Sequence, residues 1–139
     1  MKNIMRIFTA TLLMVCVASS AFAALTIDSV TPGTTVSPGT LNVPVTTSIV
    51  ITFNKKVRWN RILDNGVYKI TLHEDATGQV VPVTYSPTSN DDVYTLTPQS
   101  SLKYNTVYRL FLDDRIRAET GSDTLGTDRY YYFRTEVNT

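Results

Sequence analysis

The chain has 139 residues, with 13 Lys and Arg against 12 Asp and Glu and a single histidine. That length accommodates one domain and little more. The near-neutral balance excludes a sequence-independent attraction to nucleic acid or to an anionic lipid surface.

The first 23 residues have the organisation of a secretory signal peptide. Lys2 and Arg6 form a positive start, Ile7 to Val17 is apolar apart from Thr9 and Thr11, and Ala21-Phe22-Ala23 puts small residues at the −3 and −1 positions of a cleavage site. The apolar run is too short to cross ~30 Å of hydrocarbon. Cys16 follows the branched Val15, where a lipidation site needs a small residue, so cleavage after Ala23 is expected. Residues 24–139 then carry no cysteine, which excludes disulfides and thiolate chemistry, and hold 11 basic against 12 acidic residues. No later segment is long and apolar enough to span a membrane. The expected destination is the periplasm, the cell surface or the medium.

Residues 24–139 are expected to form strands throughout. Val, Ile, Thr and Tyr dominate, and Pro, Gly, Asn and Asp punctuate the chain about every ten residues. A first strand over 25–30 ends at Thr31-Pro32-Gly33. Residues 34–47 carry Pro38 and Pro44 and can at most form a sheet edge, because proline has no N–H for the ladder. A second strand, 48–53, turns Ile49, Ile51 and Phe53 to one face. A turn around Trp59 to Asp64 is the only helical candidate. Further strands are expected over 67–73, 80–85, 93–97, 106–112 and 128–136, with Pro82 marking the fourth as an edge. About seven short strands at this spacing predict an all-β, antiparallel two-sheet sandwich in one domain, residues 24–139.

Four groups of residues follow one another in order: Thr31-Pro32-Gly33 with Val43-Pro44-Val45; Ile49-Val50-Ile51-Thr52-Phe53-Asn54-Lys55-Lys56-Val57, an I-x-I-x-F-x-x-x-V segment; Tyr94 to Leu102 with Thr106-Val107-Tyr108; and Gly121 to Leu125 with Phe133-Arg134-Thr135. This order of motifs resembles the opening loop, second strand, middle and close of the SbsA-type bacterial Ig-like domain of S-layer and other surface proteins. In the loop before the last strand, Ala118, Glu119 and Gly121-Ser122 replace the family's usual Asp and Gly-Asn pair. The resemblance implies an immunoglobulin-like sandwich. It also implies that Tyr108 makes a tyrosine corner, its hydroxyl bonding backbone upstream.

Candidate chemistry is sparse. His73 is the only histidine, and no nucleophile-elbow motif accompanies it. No catalytic residue and no obligatory cofactor are expected, and the chain is read as a non-enzyme. Asp113 and Asp114, with Glu119 and Asp123, form the best candidate for a calcium site, set against solvated turn acids as the plainer alternative. Lys55, Lys56, Arg58 and Arg61 surround Trp59, a grouping that suits an acidic partner or a stacked sugar unless the ring plugs the end of the sandwich. Tyr130 and Tyr132 alternate with Tyr131 and Phe133, so one pair faces outward and offers an aromatic patch. These seven residues are the partner-binding candidates. The expected function is a non-catalytic extracytoplasmic module for surface assembly, adhesion or protein contact, its partner a protein or a cell-surface polymer. The alternative is a small carbohydrate-binding module using the exposed aromatic residues.

Overall fold

The computed structural model describes residues 23–139; residues 1–22 of the expected signal peptide, Cys16 among them, lie outside the described residues. In chain order the elements are β1 (Ile27–Thr31), β2 (Thr40–Val43), β3 (Ile49–Phe53), α1 (Trp59–Ile62), β4 (Leu63–Asp64), β5 (Val67–Tyr68), β6 (Ile70–Glu74), β7 (Val80–Val81), β8 (Val83–Pro87), β9 (Val93–Pro98), β10 (Val107–Leu112) and β11 (Arg129–Thr135). Two sheets face one another, one ordered β1-β3-β9-β8 and the other β2-β11-β10-β6-β7, and β4 and β5 form a separate ribbon. This is an immunoglobulin-like β-sandwich.

Alternation explains the layers. Side chains two apart share a face, so one apolar residue in two suffices to cover a half-buried sheet. Ile49, Ile51 and Phe53 of β3 and Tyr94 and Leu96 of β9 are buried from one sheet. Ile70 and Leu72 of β6, Tyr108, Leu110 and Leu112 of β10, and Phe133 of β11 meet them from the other. Phe53 packs edge-on against Tyr94, with ring centroids 6.2 Å apart.

The structure makes one sequence expectation more definite and differs from two others. The segment 34–47 contributes an edge strand, β2, which runs parallel to β11. Its pairing shifts from Thr40↔Phe133 to Val43↔Thr135, and the extra residue is taken up by Asn42 at φ 56. The strand expected over 67–73 is divided, because β4, Asn65-Gly66 and β5 form a tight hairpin first. Both turn residues have positive φ, the requirement of a type I′ turn. The strand expected over 80–85 changes sheets. β7 pairs with β6 and β8 pairs with β9, with Pro82 between them. Each half is an edge strand, where a missing N–H costs least.

Two hydroxyls grip the backbone of one residue, Lys103, at the pole where β11 ends. The buried Tyr108 hydroxyl accepts the Lys103 N–H at 2.9 Å, which is the tyrosine corner implied by the family resemblance. The hydroxyl of the buried Thr135 donates to the Lys103 carbonyl and accepts the Thr106 N–H.

Phe53→Ala is expected to lower stability by ~3–5 kcal/mol in chemical denaturation, the usual cost of emptying a large core position. Gly39 leads into β2 at φ 79, and a Cβ there would lie 1.7 Å from the Tyr132 carbonyl oxygen. Gly39→Ala should therefore cost roughly 2–4 kcal/mol through strain and collision together. A stability within 0.5 kcal/mol of wild type, on a scale where neutral surface changes fall, would contradict that close approach.

Candidate functional site

The charged end of the sandwich is built around the connection from β3 to α1. Asn54 anchors its start, accepting the Thr26 N–H and donating to the Ala24 carbonyl, both at 2.8 Å. Val57 is fully buried, and its carbonyl accepts the hydroxyl of the buried Tyr94. Opposite lies the β10–β11 loop, which folds back on itself through Ala118 N–H to Asp123 O and Leu125 N–H to Ile116 O, each 3.0 Å. Ile116, Ala118 and Leu125 are buried, so the loop also plugs this end of the core.

The basic cluster is largely spent on this loop. Lys55 pairs with Asp123 at 2.6 Å, Arg58 pairs with Glu119, and the Lys56 carbonyl accepts the Glu119 N–H at 2.8 Å. Between the two segments lies a cleft of about 670 Å³ lined by Lys55, Lys56 and residues 118–123. Lys56 makes no ion pair among the described residues. Arg61 lies apart from these pairs, on the wall of a second cleft.

Trp59 is half-buried against the core. Its ring is near-parallel to Tyr94 at 6.4 Å, tilted against Tyr85 at 5.4 Å, and edge-on to Tyr68 at 6.2 Å. Tyr68 stacks on Tyr85 at 4.8 Å. The Tyr85 hydroxyl donates to the Ile70 carbonyl at 2.6 Å, and burial, with Tyr68 beside it, pushes its pKa up to about 12. The indole is thus committed to closing the side of the sandwich between β8 and β6.

The β11 tyrosines occupy a different surface. Tyr131 and Phe133 turn inward, while Tyr130 and Tyr132 lie on the outer face of the five-stranded sheet. Tyr130 is 41% exposed and rests against Phe111 at 5.4 Å, with the Arg109 guanidinium 5.7 Å above its ring. Arg109 is opposite both Tyr132 and His73 in the sheet register and approaches Asp75 at 3.6 Å. Tyr132 is half-buried, and its backbone pairs with Thr34.

The four acids considered for calcium do not converge. Glu119 and Asp123 hold Arg58 and Lys55, whereas Asp113 and Asp114 gather with Asp128, ligand oxygens lying within 4.8 Å of one another. Asp128 accepts the Asp114 N–H at 2.9 Å. Asp113 binds the Arg115 guanidinium through both oxygens at 2.8 Å, so one carboxylate of the three is already neutralised. His73 has both ring nitrogens engaged, Nδ1 3.1 Å from the Gly78 carbonyl and Nε2 2.8 Å from the Thr71 hydroxyl. A carbonyl only accepts, so Nδ1 carries the proton and Nε2 takes the hydroxyl's. The ring thereby holds the β6–β7 turn.

A profile of the family described as Bacterial Ig-like domain matches residues 23–135. The chain belongs to the bacterial Ig-like domain family. This agrees with the motif resemblance in the sequence. A search of curated proteins found no match. Among solved structures, this Ig-like domain is similar to the native conformation of E. coli alpha-2-macroglobulin, at TM-score 0.57 and 13% identity, over 83% of this chain and 6% of that one. It is also similar to domains 1–6 of the surface layer protein SbsC, at 0.56 and 13%, over 84% of this chain and 14% of that one. The N-terminal part of the same bacterial S-layer protein aligns at 0.56 and 13%, over 82% and 24%. At such identities the likeness is one of fold, and the domain spans under a quarter of each of these longer chains.

The Arg115 guanidinium, bound to both its oxygens, holds the Asp113 carboxyl down at about 2. An NMR titration of this Ig-like domain should find that midpoint, and Arg115→Gln should raise it toward the ordinary ~3.9. The folded value lies below the unfolded one. The pair's contribution is therefore complete above about pH 4 and is lost as the pH falls toward 2.

Proposed function

We propose that this chain is a non-catalytic, exported cell-surface domain that works by contact with another protein, and that its contact face is the outer surface of the five-stranded sheet. One observation carries the choice of face. Tyr130, Phe111 and Arg109 lie together on a flat strand surface, whereas Trp59 is occupied by Tyr94, Tyr85 and Tyr68, and Lys55 and Arg58 by acids. Aromatic and arginine side chains are enriched where proteins dock, because they bring large contact area with few rotatable bonds. Family membership supports the surface location, and the organisation of residues 1–23 supports export with cleavage after Ala23. Both His73 nitrogens are engaged, Nδ1 by the Gly78 carbonyl of the β6–β7 turn and Nε2 by the Thr71 hydroxyl of β6, which supports a structural role for the ring.

The carbohydrate reading keeps Tyr130 as an open ring, and a glycan array of the purified protein tests it. For protein contact, a photo-crosslinking amino acid at Tyr130 is expected to give a discrete protein adduct on the producing cells. The same group at Val50, exposed on the opposite sheet, should give none. Equal labelling from both positions, or none from either, would remove the proposed face.

A further inference from the structure

We propose that the cleft between α1, the β4–β5 hairpin and the β10–β11 loop binds a phosphate or sulfate group. The cleft measures about 460 Å³, and its walls carry Arg61, Lys69, Arg115 and Arg117, with Asp64 as the one acid and Thr124 at the margin. This inference does not depend on the contact face proposed above, since it concerns a cleft lined by other residues and a small anion.

Charge compensation inside the cleft is incomplete. Lys69 approaches Asp64 at 3.7 Å, and Arg115 is taken by Asp113. Arg61 and Arg117 have no acidic partner within 4.0 Å among the described residues. Two guanidinium charges therefore face one concavity, although the chain as a whole carries a formal charge of only +1. Like charges drawn into one recess repel, and a folded chain gains by that arrangement only if an anion enters it. Arg61 is half-buried, and its Nε is shut off from solvent with no acceptor among the described residues. A buried N–H without a partner is a cost that a bound oxyanion, accepting from the same guanidinium, offsets.

Main-chain pairing fixes the backbone from which two of the cations extend. The Lys69 N–H donates to the Ile62 carbonyl at 2.7 Å, and its own carbonyl accepts the Asp113 N–H at 2.9 Å. Those two bonds tie the end of α1, the residue before β6 and the start of the β10–β11 loop to one another. Arg117 is fixed by its bridge with Thr124 across the folded loop. Three separate chain segments thus deliver their cations to one place before any ligand arrives. The chemistry favours a tetrahedral oxyanion. Guanidinium groups offer parallel N–H pairs that match its oxygens, and two uncompensated arginines beside a lysine supply more charge than one carboxylate needs.

The group could arrive as the free ion or as an ester on a sugar. The purified protein is titrated at constant ionic strength with sodium phosphate, sodium sulfate, glucose 6-phosphate and, as control, sodium chloride, following the arginine Nε–H NMR signals. Saturable shifts at Arg61 and Arg117 with phosphate or sulfate, beyond those with chloride, are expected. Arg117→Gln and Arg61→Gln should each weaken binding about tenfold or more, and Lys56→Gln, which lies outside the cleft, should leave it unchanged. Tighter binding of glucose 6-phosphate than of inorganic phosphate would identify an ester as the ligand, and equal binding the free ion. Shifts no larger than those with chloride would overturn the site in the wild-type protein alone, whatever the variants do. So would wild-type affinity in either folded arginine variant.

Discussion

The chain's passage from one sheet to the other at Pro82 is the constraint on which the rest of this domain depends. β7 completes the edge of the five-stranded sheet and β8, a single residue later, begins the edge of the four-stranded one. The two layers are thereby fastened along one side at a fixed separation. β7 is only two residues long, so it leaves the first part of β6 without a neighbour. The Ile70 carbonyl faces that gap, and Tyr85 reaches across from β8 to satisfy it. An unpaired buried carbonyl would be costly, so the ring is held there, and Tyr68 and Trp59 pack upon it. The position of Trp59 then fixes α1, and α1 sets where Arg61 enters its cleft. A chain of packing requirements thus connects a backbone crossing to a charged recess at the far end of the same side.

Much of the sandwich could be read from its alternation. Ile49, Ile51 and Phe53, or Tyr108, Leu110 and Leu112, allow only one inward face, since a slip of one residue would bury their polar neighbours. Residues 34–47 were harder. Their prolines obscure strand character, and a parallel partner nearly a hundred residues away leaves no local signal. Pro82 correctly marked an edge, but alternation continues unbroken through Val81, Val83 and Tyr85, and periodicity cannot report that the partner strand changes. Asn65-Gly66 is a strong hairpin signal, but its flanks, Leu63-Asp64 and Val67-Tyr68, are too short to show an alternating pattern.

The charged residues teach a different lesson. Lys55, Lys56, Arg58 and Arg61 are a cluster in sequence, but in space two of them meet acids more than sixty positions away. Asp113 and Asp114 likewise gain Asp128, not Glu119 and Asp123. Arg61 and Arg117, far apart along the chain, instead bring their uncompensated charges to one cleft. Linear charge counting sees neighbours on one segment, whereas pairing and repulsion are decided by which segments the backbone brings together.

The parallel pairing of β2 with β11 has a mechanical consequence. Ala24 lies beside Asn54, at the end where β3 finishes, and Glu136 lies beside Val45, beyond the end of β11, so these two residues sit at opposite poles. Tension applied between them draws β2 back toward its start and β11 forward toward its finish. Because the strands are parallel, those motions slide one along the other. The hydrogen bonds joining them, with those of β1 to β3, are loaded in shear and must yield together rather than peel apart in succession. A domain strung in this way resists stretching through its outermost strands, and its lifetime under load is set by the rate at which those two short ladders rupture.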